Sequence, residues 1–222
     1  MIRIKWLLLS LLFSAGLAQA SADFTNGDLI RNAAIPAWGG DNDNRFTIML
    51  WVWGPDVVDS NNFFTADDGS NNMFVTLGSA WDSPSDMYFF TPNGEWHYNK
   101  DGSTTANPPQ AFDLGAGWTF LAVSFVKNAA TRMYAWQAGV NGGNMVNITA
   151  QDNFSALGGG GRIVNRFLLG DRSANDEGCE CLIGPVYVYD GIALSQAQID
   201  TQRRQLQPVQ TSGLVAYSTF DD

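Results

Sequence analysis

Three groups of side chains in this chain have the types and spacing to hold a ligand. The first is rich in acids and amides: Asp41-Asn42-Asp43-Asn44, the pair Asp67-Asp68, and Asp171 with Asp176. Hard cations take several oxygen ligands from carboxylates, amides and carbonyls, so Asp41, Asp43, Asp67, Asp68, Asp171 and Asp176 are candidate Ca2+ ligands. None of these runs is an EF-hand loop, because its glycine and closing glutamate are missing. Asp and Asn also build ordinary turns, which is the competing reading of each cluster. The second group is aromatic. Trp81-Asp82 in GSAWDSP and Trp38 in PAWGG sit in loop-like sequence. A loop tryptophan beside an acid or amide can stack on a sugar ring while the polar group bonds its hydroxyls. The competing reading is that both close the ends of the fold as plugs. Trp51, Trp118 and Trp136 lie in long apolar runs and are expected in the core.

The third group is Cys179 and Cys181, the chain's two cysteines. Residues i and i+2 on a regular strand stand too far apart for an unstrained bridge. Three readings stay open, in this order: a local disulfide in a turn, disulfides between subunits, and a metal site. The last is disfavoured because two thiolates and the lone His97 make a poor zinc set.

Catalytic residues are scarce. Glu95, Glu177 and Glu180 are the chain's glutamates, and His97 has no nucleophile elbow near it. His97 reads as an ordinary strand residue, and the chain as a binder and not an enzyme.

The elements that position these groups follow from pattern. Residues 1–20 have a basic start, Arg3 and Lys5, a short apolar run and a small-x-small ending at Ala18-Gln19-Ala20, the form of a secretory signal peptide. The apolar run is short of the roughly 20 residues a membrane span needs. Residues 21–222 then form one domain, secreted to the extracellular space or the periplasm. The whole chain carries 12 basic and 22 acidic side chains. Without Arg3 and Lys5 the balance is 10 against 22, a net charge of −12. Such a surface repels nucleic acid and anionic membranes, and leaves carboxylates for cations.

Residues 46–53 (FTIMLWVW) are apolar on both parities, which predicts a central strand covered on both sides. Further strands are expected at 63–66, 73–77, 87–91, 95–99, 118–126, 132–137, 145–150, 167–169, 182–189 and 214–220. Asn93-Gly94 between two aromatic runs predicts a hairpin. A single helix is expected from Gln196 to about Leu206. Ser195 with Gln198 has capping-box spacing, and Ile199 and Leu206 among polar residues place the helix on the surface. The glycine run 158–161 reads as a surface loop. Asn147 and Asn153 begin N-x-S/T sequons, which matter only in a glycosylating pathway.

Three motifs in order resemble a known family. Phe46-Thr47-Ile48 with Trp51-Val52 is similar to an FTI-x-x-WV strand. Gly117-Trp118 through Val123 is similar to GW-x-x-x-AV, followed by Met133-Tyr134 and Gly139 to Gly143 where LYVNG often stands. Leu169-Gly170, Ile183-Gly184, Val186 to Tyr189 and Ala193-Leu194-Ser195 resemble the closing segment. Together they resemble a laminin-G-like domain of the concanavalin A-like lectin and glucanase superfamily. The resemblance implies an all-β, two-sheet antiparallel jelly roll with one short surface helix near the C-terminus. It also implies a Ca2+ at one rim, and a partner that is a glycan or an extracellular protein. Glucanases of the superfamily carry E-x-D-x-x-E, which this chain lacks. The alternative role is a structural subunit of an extracellular filament or surface layer, and a weaker one is an atypical polysaccharide-active enzyme. Residues 214–220 depart from the family by standing at the end, not the start. They are expected to close the sheet beside the N-terminal strand, the alternative being donation to a neighbouring molecule.

Overall fold

A computed structural model describes residues 22–24, 30–32, 45–54, 61–67, 73–79, 87–91, 94–98, 112, 114–126, 132–148, 166–170, 179 and 181–219. Two antiparallel sheets face each other. The strands are β1 (Ala22–Phe24), β2 (Ile30–Asn32), β3 (Arg45–Trp53), β4 (Asn61–Asp67), β5 (Met73–Ser79), β6 (Met87–Thr91), β7 (Gly94–Tyr98), β8 (Thr119–Val126), β9 (Arg132–Gln137), β10 (Val146–Asn147), β11 (Arg166–Leu169), β12 (Cys181–Asp190) and β13 (Leu214–Ser218). The first sheet has the order β1-β12-β3-β8-β9-β10, with β13 also paired to β12. The second runs β2-β11-β4-β5-β6-β7. This is the all-β sandwich expected, with β6 and β7 as the predicted hairpin, Thr91 opposite Gly94.

Period-two alternation builds the core. Phe46, Ile48, Leu50 and Val52 of β3 point inward with Leu121, Val123 and Phe125 of β8 and Ile183, Val186 and Val188 of β12. Phe63, Phe64, Ala66, Phe167 and Leu169 meet them from the second sheet. Phe46 stacks on Phe125 with centroids 4.8 Å apart. The ladder of β4 slips between Asn62 and Phe64. The slip lets two successive phenylalanines join one core, which a regular strand would forbid.

β3 is central, between β12 and β8, and both its faces are buried, as its sequence demands. Its outer face carries Met49 and Trp51 in a second apolar cluster with Phe120, Ala122, Tyr134, Tyr187, Tyr189, Leu194 and Ile199. A strap, residues 191–213, covers part of this face. Its ends meet where the Asp190 N–H donates to the Gly213 carbonyl at 2.7 Å. Gly213 has φ of +71°, and a Cβ there would stand 2.5 Å from the Asp190 oxygen, so no other residue closes this loop without strain.

The strap carries α1 (Gln196–Gln202), with the expected capping box in place: Ser195 N–H donates to Gln198 Oε1 at 3.0 Å, and Gln198 N–H to Ser195 Oγ. The helix is shorter than predicted. It stops at Gln202 because that side chain leaves the helical pattern to hold the next turn, donating to the Gln205 and Gln207 carbonyls and accepting from Val209 N–H. Leu206 therefore lies in the turn, while Ile199 is fully buried under the strap. β13 lies in the first sheet against β12, while β1 pairs with the other end of β12, so the two short strands share one margin.

Candidate ligand-binding face

Trp118 and Trp136 do not belong to the core between the sheets. On β8 the inward set is Leu121, Val123 and Phe125, so Trp118 takes the outward parity with Phe120, Ala122 and Ser124. Trp136 follows on β9, opposite Phe120. Trp51 is on the same outer face and only 5% exposed, while Trp118 and Trp136 are half-buried. The reason is parity, and the polar Ser124 on that parity is the signal in the sequence that could have shown it.

Trp118 lies flat. Its strand is two strands away from β12, about 10 Å at ordinary strand spacing. Yet a Cβ on Gly184 of β12 would stand 3.4 Å from Trp118 Cζ3 and 2.9 Å from Trp51 Cβ. An indole reaching that far must run along the sheet over β3, and the missing side chain of Gly184 gives it room. Gly184-Pro185 is also where the β12–β3 register slips, between Ile183 and Val186. A bulge tolerates a proline, which has no N–H for the ladder. It also resets the parity, so that Ile183 and Val186 both face the core.

The turn that delivers Trp118 is held from three sides. Gly54 N–H donates to the Leu114 carbonyl at 3.2 Å. Trp53 Nε1 donates to Gly115 O at 3.3 Å. Gln137 Nε2 donates to Gly117 O at 3.2 Å and to Thr119 Oγ1 at 2.9 Å. Trp53 is itself half-buried, its ring 6.2 Å from that of Trp118 and tilted 53°.

Beside this pair, Trp51 meets Phe120 at 5.3 Å and Trp136 edge-on at 5.6 Å. The Arg203 guanidinium sits 4.5 Å above Trp136 and bonds Asp200 at 2.6 Å. Trp136 Nε1 donates to Gly143 O at 2.8 Å. Burial pushes the Tyr134 hydroxyl pKa above its ordinary value, with Arg132 pulling the other way. The face thus offers the half-buried rings of Trp53, Trp118 and Trp136, with a charged pair beside Trp136 on the helix of the strap. Such a surface stacks on the apolar side of a ring-shaped ligand while nearby donors take its polar groups.

Trp38, Trp81, Asp82, Asp41, Asp43, Asp68, Asp171 and Asp176 lie outside the described residues. So do residues 1–20, the glycine run 158–161 and Asn153. Asp67 ends β4, opposite Arg166 and Met73. Asn147 is exposed on β10. His97 stands on β7 opposite Tyr88. Among the described residues no three His, Cys, Asp or Glu side chains gather as a metal site, and no helix is long and apolar enough to cross a membrane.

Cys179 and Cys181 are joined to each other within the chain, with Cα atoms 5.3 Å apart and both side chains buried. The distance falls inside the usual disulfide range because Cys179 is not on a regular strand. Its N–H turns back to the Gly170 carbonyl at 2.7 Å, which also brings together the two ends of the segment 171–178.

No protein-family sequence profile matches the chain, and no curated protein matches it in sequence. Solved structures do match in shape. The native heptameric SAP-like pentraxin of Limulus polyphemus superposes over 91% of this chain and 92% of its own, with a TM-score of 0.60 at 12% identity. A putative carbohydrate-binding protein of Bacteroides ovatus matches over 90% of this chain and 51% of its own, at 0.56 and 14%. Domain 4 of an extracellular GH43 arabinanase of Geobacillus stearothermophilus, solved with arabinotriose, matches over 82% and 79%, at 0.51 and 21%. The chain therefore has the concanavalin A-like jelly-roll fold that these proteins share, at identities that speak to architecture alone.

Proposed function

We propose that this domain is an extracellular carbohydrate-binding module. The observation that carries the reading is Trp118, which reaches along the outer sheet face to Gly184 and is half-buried beside Trp53. A half-buried indole held by a braced turn leaves part of its ring for stacking on a sugar. The arabinotriose complex of a similar fold supports the same class of ligand. In this reading Trp81, Asp82 and Trp38 add contacts from the loops. Ca2+, held by carboxylates drawn from Asp41, Asp43, Asp67, Asp68, Asp171 and Asp176, orders those loops. The module binds without catalysing, in keeping with the missing E-x-D-x-x-E pattern.

The test is a glycan array probed with the wild type and with Trp118→Ala, each with and without chelator. Binding of a defined glycan that Trp118→Ala loses supports the proposal. No glycan bound under either condition overturns it. Binding that survives Trp118→Ala and is lost in Trp81→Ala moves the site to the loops.

A further inference from the structure

We infer that the glycan taken by this face is acidic, with Arg203 receiving the carboxylate of a uronate whose neighbouring ring lies against Trp118. The inference rests on the carbohydrate-binding reading and names the class of sugar. The first ground is the state of Arg203. Its side chain is only 9% exposed, an unusual depth for an arginine. Its guanidinium lies 4.5 Å over the Trp136 ring, and its Nε donates to Asp200 Oδ1 at 2.6 Å. These two contacts fix the plane of the fork. The terminal nitrogens, Nη1 and Nη2, donate to no described residue, and both reach solvent. A guanidinium so held matches a carboxylate in plane and spacing and takes it by two parallel bonds. The end of α1 does not call for this depth. A cation favours a helix C-terminus from the surface, and Arg204, 60% exposed, already stands there.

The second ground is charge. Residues 114–151 and 191–219 supply β8, β9, β10 and the strap. They hold Lys127, Arg132, Arg203 and Arg204 against a single acid, Asp200, a net charge of +3. Of the 12 basic and 22 acidic side chains, 8 and 21 then fall to the rest of the chain. An acidic ligand meets least repulsion where the acids are fewest. Asp200 does not cancel the fork beside it. Arg203 and Arg204 share its two oxygens, so the trio keeps one positive charge in excess.

The third ground is spacing. Phe120 pairs with Trp136, which makes Trp136 the diagonal neighbour of Trp118 on the outer face, about 7–8 Å away along the sheet. Arg203 covers the side of the Trp136 ring on which a sugar would otherwise stack. Trp118 is left as the platform, and the fork over Trp136 stands about one sugar unit from it. A ring on Trp118 and a carboxylate on the next ring of the same chain can engage both at once.

Isothermal titration calorimetry of the full protein tests this, with oligomers of galacturonate, of glucuronate and of alginate, each beside its methyl ester. The ester keeps the ring and its stacking and loses the charge. At least one acid should bind about tenfold or more tightly than its ester. Dextran sulfate, a neutral glucan charged through sulfates, should bind less tightly than that acid. Arg203→Lys keeps the charge and loses the fork, so it should remove most of the preference and leave binding of the ester as it was. Trp118→Ala should weaken acid and ester alike. If Arg203→Lys lowers the melting temperature, the ratio of acid to ester in the wild type decides. No acid preferred to its ester overturns the inference, as does a preference that Arg203→Lys leaves intact, or dextran sulfate bound as tightly as the acid. If a neutral glycan still binds on the array, the carbohydrate reading stands without this inference; if no glycan binds at all, both fall.

Discussion

At the scale of single residues, Gly184 and Trp118 act as one unit. Alanine at 184 puts a methyl group 2.9 Å from Trp51 Cβ, an atom too close to the backbone to swing aside. Overpacking of this kind costs about 1–3 kcal/mol. Gly184→Ala should therefore lower the melting temperature and lift Trp118 from the sheet, which its tryptophan fluorescence would report as a shift in emission. Trp118→Ala should keep the fold and weaken glycan binding about fivefold, as expected from losing roughly 1 kcal/mol of aromatic stacking. Stability unchanged in Gly184→Ala would mean that the glycine is incidental. A second residue-scale effect is alkaline. Tyr189 is fully buried, and burial raises its pKa above the ordinary value near 10, partly offset by its bond to the Gln210 carbonyl. The folded state then holds a proton that the unfolded state gives up, so stability is whole below about pH 10 and falls as pH rises through the folded value. Melting curves should be flat in mildly alkaline buffer and drop beyond it. Tyr189→Phe should drop less steeply. None of this reach was legible in the chain. Spacing shows that Trp118 leads into a strand, but the reach of its indole to Gly184, 66 positions away, is set only by the fold.

At the scale of elements, the strap is a loop that the sheet holds in place. Thr47 hydroxyl donates to the Ile192 carbonyl and accepts from Leu194 N–H, both at 2.9 Å, and Ser124 hydroxyl donates to the Leu194 carbonyl at 2.9 Å. Tyr187 hydroxyl reaches the Leu206 carbonyl at 2.8 Å. These buried polar atoms explain why two hydroxyl residues interrupt apolar strands. The start of α1 was legible because a capping box is local, written in Ser195 and Gln198. The end was not, because Gln202 is recruited by carbonyls three and five residues on, and no local propensity reveals that. The two ends should answer differently to mutation. Ser195→Ala removes one cap and should cost about 1 kcal/mol. Gln202→Ala removes three bonds at once, leaving Val209 N–H without its acceptor while the Gln205 and Gln207 carbonyls keep Tyr187 and Gln205 Nε2 as donors, and should cost about 2 kcal/mol. Chemical denaturation of both variants checks the order. Ser195→Ala costing more than Gln202→Ala would refute the account of how the helix stops.

At the scale of the whole molecule, the sandwich was legible because a sheet buried on both faces has to be apolar on both parities, and FTIMLWVW is. Long apolar runs gave the positions of the long strands within a residue or two, while the three-residue strands β1 and β2 left no pattern to read. The charge is a property at this scale too. A net charge of −10 means that the folded chain, being compact, holds its carboxylates closer together than the unfolded chain does. Added cations of any kind should therefore stabilise it by screening. A chelating site adds something that screening cannot, which is selectivity. If the proposed carboxylates hold Ca2+, then Ca2+ at about a hundred times its dissociation constant should add roughly 2.7 kcal/mol of stability, with a midpoint set by that constant. Mg2+ at equal concentration should add much less, because it gives up its water reluctantly and demands a tighter octahedron. Sodium chloride of equal ionic strength should reproduce only the screening part. Melting curves in the three salts, after prior treatment with chelator, separate the two effects. Equal shifts with Ca2+ and Mg2+ would reduce the acidic clusters to a solvated surface. A Ca2+-specific shift that Asp171→Asn and Asp176→Asn abolish, and Asp41→Asn does not, would place the ion at the segment whose two ends Gly170 and Cys179 bring together.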